Sequence, residues 1–157
     1  MQVVAPGSLE IRRWRAADEP FIGRLATRAF AEYDAQPSVT MEGLIQRGVT
    51  WVALRATVPL GFAVVQVHGT DSAELCAIAV EEEMRGVGIG RALLVHVERA
   101  LLRAGVKQLR LHTAQSNLSA LELFLKCGFR VEQRLPRFYR GVYDACALAK
   151  TVGADRR

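Results

Sequence analysis

The chain has 157 residues, half of them hydrophobic and 24% charged, a length and balance that suit one compact domain spanning residues 1–157 and exclude wholesale disorder. No apolar run nears the ~20 residues that cross a bilayer, and residues 1–7 lack the basic start and apolar block of a signal peptide, so cytoplasmic residence without a membrane partner is the expectation. The formal charge of +5 is scattered, with a looser group at Arg130, Arg134, Arg137 and Arg140 and no basic run interleaved with exposed aromatics, which argues against nucleic-acid binding and suits steering of an anionic ligand.

Taken in order, Leu9–Trp14 alternates apolar and polar residues and reads as a first strand. Asp18 is placed to cap a helix with Pro20 in its first turn, and Phe21, Ile22, Leu25, Ala29 and Phe30 follow at helical spacing. Pro37 ends that unit, and Thr40 caps a short helix, Met41–Arg47. Thr50–Arg55 and Leu60–Val67 form a hairpin around Ala56-Thr57-Val58-Pro59. Ala73–Val80 is a fourth strand, and a glycine-rich turn, Arg85–Gly90, opens a long helix that Gly105 ends. Lys107–Ala114 is a fifth strand, Ser116 and Asn117 cap a helix closed by Gly128, and Arg130–Leu135 and Tyr143–Lys150 are a closing pair. Residues 1–7 and 151–157 are expected to fray. The glycine-turn helix is a crossover between the fourth and fifth strands, so they should run parallel within a mixed, mostly antiparallel α/β sheet flanked by helices on both faces.

Cys76, Cys127 and Cys146 are odd in number and widely spaced, so neither a disulfide framework nor a zinc site is indicated. The strongest chemical signal is Arg85-Gly86-Val87-Gly88-Ile89-Gly90-Arg91 between a strand and a helix. Glycines let consecutive N–H groups converge on an anion, and the helix start adds unpaired donors and partial positive charge. The spacing fails the nucleotide-triphosphate loop, which needs Lys-Ser/Thr after the last glycine, and the dinucleotide fingerprint, which needs Gly-x-Gly-x-x-Gly. It fits Arg-x-x-Gly-x-Gly.

On those residues the chain resembles the GNAT acetyltransferases. A second stretch, Asn117-x-x-Ala120-x-x-Leu123-Phe124-x-Lys126-x-Gly128-Phe129, resembles that family's second motif at the matching separation. The resemblance implies a GNAT fold with the fourth and fifth strands splayed around acetyl-coenzyme A as co-substrate, without a metal. It implies that the backbone of Ile78, Ala79 and Val80 holds the pantetheine arm, that the amides from Arg85 to Arg91 (Gly86, Val87, Gly88, Ile89 and Gly90 among them) hold the diphosphate, and that Asn117 and Phe124 face the arm from the other side. The family often has Tyr where Phe124 stands, so this chain lacks that proton donor. Either Tyr139 replaces it or the thiolate leaves unprotonated.

An amine attacks only when neutral, so a base must take its proton. Glu74 and His112 are the candidates. By two-residue periodicity Glu74, Cys76, Ile78 and Val80 should share a face, and the parallel pairing could bring Glu74 to His112. His68 and His96 are read as structural. The stretch Pro136-Arg137-Phe138-Tyr139 before Asp144-Ala145 more weakly resembles N-terminal peptide and ribosomal-protein alanine acetyltransferases. Tyr139 would then form one wall of the acceptor site, and Phe30, Tyr33 and Gln36 the other. The expected activity is transfer of acetyl to a primary amine: a peptide or protein N-terminus, or alternatively a polyamine, amino acid or aminoglycoside. A non-catalytic acyl-CoA-binding module is the third reading. Family members often pair into homodimers, but no interface is legible here.

Overall fold

The computed structural model describes residues 8–34 and 37–154 of the chain. Within them seven strands form one sheet: β1 Leu9–Arg13, β2 Val49–Arg55, β3 Val58–His68, β4 Ser72–Val80, β5 Gln108–Ala114, β6 Arg130–Tyr139 and β7 Tyr143–Thr151. Their order is β1-β2-β3-β4-β5-β7-β6. Every neighbouring pair is antiparallel except β4 and β5, neighbours joined through a long helix that returns the chain to the same end of the sheet. Four α-helices flank the sheet among the described residues: α1 Glu19–Phe30, α2 Pro37–Arg47, α3 Ile89–Arg103 and α4 Leu118–Lys126.

Each face of the sheet has its own core. On one, Phe21, Ile22 and Leu25 of α1 and Met41 and Ile45 of α2 pack on Val52, Phe62 and Val64. On the other, Leu93, Val97 and Leu101 of α3, with Phe124 of α4, pack on Ala63, Val65, Leu109 and Leu111. Covered on both faces, β2 and β3 are near-continuous apolar runs rather than alternating ones. Each such side chain, fully buried, contributes roughly 1.5–3 kcal/mol of transfer free energy. His96 lies edge-on to Trp51 at 6.0 Å, a packing position.

Several local expectations are corrected. Pro37 starts α2 instead of ending the preceding unit, and Thr40 lies inside the helix; a fixed φ and a missing N–H suit a first helical turn. Gln36 lies outside the described residues, as do 1–7 and 155–157. The first hairpin turns on Ala56 and Thr57 alone, at φ 50° and 68°, and Val58 and Pro59 already belong to β3. β6 runs on to Tyr139. Residues 151–154 are held: Val152 donates to the Lys107 carbonyl at 2.9 Å, and the Gly153 N–H to Glu98 Oε2 at 2.6 Å. Glu98 also pairs at 2.7 Å with Lys150, whose side chain is 3% exposed, so one carboxylate ties β7 and the residues after it to α3. The cysteines form no disulfide.

Asp18 precedes α1 but makes no capping hydrogen bond to it. Its carboxylate instead accepts from Arg12 Nη1 at 2.7 Å, Arg12 Nη2 at 3.1 Å and the Arg15 N–H at 2.7 Å, clamping the end of β1 to the entry of α1. The Arg12 guanidinium holds this carboxyl below the ordinary carboxylate value. The folded-state pKa is depressed, so the stabilisation is full at neutral pH and is lost as acid carries the solution down through that lowered value. Asp18→Ala should cost about 1–3 kcal/mol in urea titrations at pH 7, and the deficit against the parent should shrink on acidification.

Candidate active site

β4 pairs with β3 along its length but with β5 only through Ser72, Ala73 and Glu74, opposite Gln108, Leu109 and Arg110. Past Glu74 the two strands part, and the facing backbone edges of Leu75–Val80 and Leu111–Ala114 have no ladder between them. A strand edge opened inside a domain is a receptor for an extended polar ligand. β4 also carries a β-bulge. Val64 faces Ala77 while Val65 faces Leu75, so Cys76 is an extra residue. Ala73 and Leu75 therefore pack toward α3, Cys76 and Ala77 toward α1 and α2, and Ile78 and Val80 toward α3 again. The expected common face for Glu74, Cys76, Ile78 and Val80 does not exist: Glu74 and Cys76 point to one side of the sheet, Ile78 and Val80 to the other.

The glycine turn follows. Gly86 has φ +83° and Gly88 φ +91°, a region that side chains disfavour, while a Cβ on either would meet nothing within 4 Å. Both are thus required by the backbone rather than by crowding, and the space before them is open. Gly90 is small for another reason, since its Cβ would lie 3.1 Å from Leu123 of α4. Gly88 immediately precedes α3, so the unpaired N–H groups and positive end of that 15-residue helix face the turn. Arg85 Nε donates to the Val80 carbonyl at 3.2 Å and fastens the turn to the strand.

A cleft of about 730 Å³ runs from this turn along the end of β4, between α1 and α4. Arg85, Gly86, Gly88, Ile89, Gly90 and Arg91 line its turn end, Ile78, Ala79 and Val80 its strand wall, and Asn117 and Phe124 the opposite wall. Val87 points elsewhere and is 60% exposed. Asn117 caps α4 through Oδ1, which accepts from the Ala120 N–H at 3.3 Å; the cap leaves its amide N–H₂ as a donor, so capping and ligand binding are compatible. Phe124 is buried edge-on against Phe129 at 5.7 Å. Arg28, Ala29 and Met84 also line the cleft. Arg28 and Ala29 were not legible in the sequence because their place depends on how α1 crosses the sheet. Arg28 is anchored there by Glu81 at 2.8 Å.

The second half of the site lies on the α1–α2 face, where β4 and β5 begin to part. Glu74 Oε2 is 3.8 Å from His112 Nδ1, and Glu74 Oε1 is 3.4 Å from His68 Nε2. His68, read from sequence as structural, therefore belongs to this cluster. Phe138 stacks on His112 at 4.9 Å, and Tyr139 meets Phe138 edge-on at 5.0 Å. Both are presented by an irregularity in β6 between Leu135 and Tyr139, with Arg137 at φ +55°. Asp144 holds it in place by accepting from the Arg137 N–H at 3.0 Å and from Arg134. Tyr33, at the end of α1, packs on Tyr139 at 5.5 Å and on Tyr143 at 5.2 Å, and its hydroxyl lies 3.1 Å from Ser116 Oγ. Phe30 and Tyr33 line the cleft, whereas Tyr139, Glu74 and His112 stand beyond its lining. Burial, then Glu74, pushes the Cys76 thiol up to about 11. Burial, then Tyr33, pushes the Tyr139 phenol up to about 12.

A sequence profile of the acetyltransferase (GNAT) family matches residues 10–129. The chain belongs to that family. As a GNAT acetyltransferase it is 33% identical over 119 residues to a mycothiol acetyltransferase of Thermobispora bispora, a stretch that is 67% of this chain and 40% of that protein; the chain spans less than half the length of the mycothiol acetyltransferases it matches. Over 83 residues, 53% of this chain and 55% of its relative, it is 41% identical to the ribosomal protein bS18 alanine N-acetyltransferase of Escherichia coli. The crystal structure of the ribosomal-protein-S18-alanine N-acetyltransferase from that organism superposes with a TM-score of 0.81 at 27% identity, covering 96% of this chain and 99% of the other. A GNAT structure from Elizabethkingia anophelis, described with acetyl-CoA bound, shares the fold at a TM-score of 0.80 and 22% identity, covering 92% of this chain and 99% of that one.

Open space before two positive-φ glycines, a helix start behind them and an unpaired strand edge lie together in this chain. Among the described residues no cluster of His, Cys, Asp and Glu could hold a metal ion, and no helix is long and apolar enough to cross a membrane. The family match stops at Phe129, so β6 and β7, which supply Phe138, Tyr139 and Asp144, lie outside it.

Proposed function

We propose that this acetyltransferase uses acetyl-coenzyme A to acetylate a primary amine by direct attack, and that the acceptor is a peptide or protein N-terminus. The observation that carries this is the parting of β4 and β5 beyond Glu74, with the Glu74–His112 pair where the two strands begin to part and the glycine turn and α3 where β4 ends. Acetyl-coenzyme A, when bound, supplies the activated acetyl group. The amides of Gly86–Arg91 and the start of α3 hold its diphosphate, and the backbone of Ile78–Val80 and the Asn117 amide hold its arm. His112, with Glu74 behind its Nδ1, takes the proton of the incoming ammonium at Nε2.

Cys76 lies next to these groups, but with its thiol near 11 only about one molecule in 10⁴ carries a thiolate at pH 7, which favours direct transfer over an acyl-cysteine. Tyr139, near 12, could protonate a thiolate of ordinary acidity only at an uphill cost of a thousandfold or more, about three powers of ten. We therefore assign Tyr139 to the acceptor wall, and let the thiolate depart past the apolar Phe124.

The bS18 relative supports the peptide reading, as does the aromatic pair on the braced β6 irregularity. A small-amine acceptor is the second reading, favoured by Tyr33 packing directly on Tyr139 and Tyr143, which narrows the passage between α1 and the β6–β7 hairpin. Thiol release from acetyl-coenzyme A, measured across N-terminal peptides and across polyamines, amino acids and aminoglycosides, decides between them. Mass spectrometry should then find one added acetyl group on the α-amine of a peptide, and release with small amines alone would select the second reading. Asp144→Ala, which unpins Arg137 and frees Phe138, should raise the acceptor KM about ten- to a hundredfold and leave coenzyme A affinity unchanged in calorimetry.

A further inference from the structure

His68, Glu74 and His112 stand in a row across three adjacent strands. Glu74 is opposite Gln66 of β3 and Arg110 of β5; His68 and His112 each lie two residues further along and hence on the same face. One carboxylate thus meets a histidine at each of its oxygens, at 3.4 and 3.8 Å. The side chains of His112 and Glu74 are equally exposed, at 37% and 36%, and that of His68 more so, at 53%. Cys76 and Tyr139 both hold their protons tightly, and Arg110, 3.6 Å from Glu132, is a permanent cation.

Resting on the assignment of His112 and Glu74 above, we infer that His68 is the outlet of a proton relay that carries the acceptor's proton from His112 through Glu74 to solvent. The N–H bond of the ammonium breaks and His112 Nε2 gains the proton. The Nδ1 proton of His112 passes to Glu74 Oε2. The carboxylic acid turns about its Cγ–Cδ bond and delivers the proton to His68 Nε2, and His68 gives up its Nδ1 proton to water. One proton crosses from amine to solvent and no electrons are exchanged; both imidazoles recover their starting tautomers by exchange with water. The observed gaps exceed hydrogen-bond length by less than an ångström, about what closes when a site fills. The relay explains why an exposed histidine at the end of β3 faces inward to Glu74.

The test uses His68→Ala and His68→Gln in the full chain, with acetyl-coenzyme A and the amine giving the fastest thiol release in the panel above. In dilute, weakly basic buffer kcat should fall about tenfold with the acetyl-coenzyme A KM unchanged. Added imidazole should restore the rate of His68→Ala in a saturable way while leaving the parent unaffected. A kcat within about twofold of the parent, or a lowered kcat that imidazole does not restore, overturns the relay. If His112→Ala and Glu74→Gln also keep parental turnover, the base assignment beneath it falls too; if those two lose turnover and His68→Ala does not, only the outlet is overturned.

Discussion

Gly88→Val should lose coenzyme A binding by about a hundredfold or more, the size of effect expected when one preorganised set of charge-assisted hydrogen bonds is removed, with the fold retained. The reason is conformational. Gly88 sits at φ +91°, and a β-branched residue held there costs about 1–3 kcal/mol. The turn relieves that cost by moving, which swings its amides and the first N–H groups of α3 off the anion. A Cβ at Gly88 would meet nothing within 4 Å, so no clash unfolds the core, and the side chain enters the space the diphosphate would take. Gly69, at φ +66° in the turn between β3 and β4 and equally uncrowded, is the control: Gly69→Val imposes similar strain at the far end of β4 and should leave affinity untouched. Calorimetry with coenzyme A, alongside far-ultraviolet circular dichroism, reads both. Parental affinity in Gly88→Val would remove the diphosphate site.

In His112→Ala and Glu74→Gln, kcat should drop by about 10²–10⁴-fold, the range for a positioned general base, while the dissociation constant for coenzyme A holds. The split follows from geometry, because neither residue lines the cleft and both lie on the opposite face of β4 from the Ile78 and Val80 side chains. Glu74→Gln preserves shape and removes charge. It therefore separates support of a protonated His112 from simple packing, for which Gln would suffice. Rapid-mixing measurements of thiol release at saturating acetyl-coenzyme A distinguish loss of chemistry from loss of binding. Unchanged turnover in both variants would reject them as the base.

The glycine-turn end of the cleft was readable from sequence because it is made of backbone. Positive φ demands glycine, a helix start demands a cap, and Gly86, Gly88 and Asn117 sit within a few residues of the groups they organise. The element order and the parallel β4–β5 pair were readable for a similar reason: the length of a connection limits how its strands can pair. What was not readable depends on registry between distant strands. Nothing about Cys76 announces an extra residue; the bulge exists because Val64 and Val65 on β3 pair with Ala77 and Leu75. The same dependence hid His68, which reaches Glu74 diagonally across a ladder, and Arg28, which reaches the cleft through the docking of α1. Pro37 was misread because proline both stops a helix and starts one, and which of these it does depends on the chain that follows.

The extra residue at Cys76 has a practical consequence for remodelling this enzyme. Under the proposed function, β4 faces the acceptor with Glu74 upstream of it and the carrier with Ile78 and Val80 downstream, on opposite sides of the sheet. Substitutions before Cys76 can retune which amine is accepted without rotating Ile78 or Val80. Excision of that single residue would leave Leu75 opposite Val65 and Ala77 opposite Val64, so the strand would lose its bulge and local bend while Ile78 and Val80 keep their face.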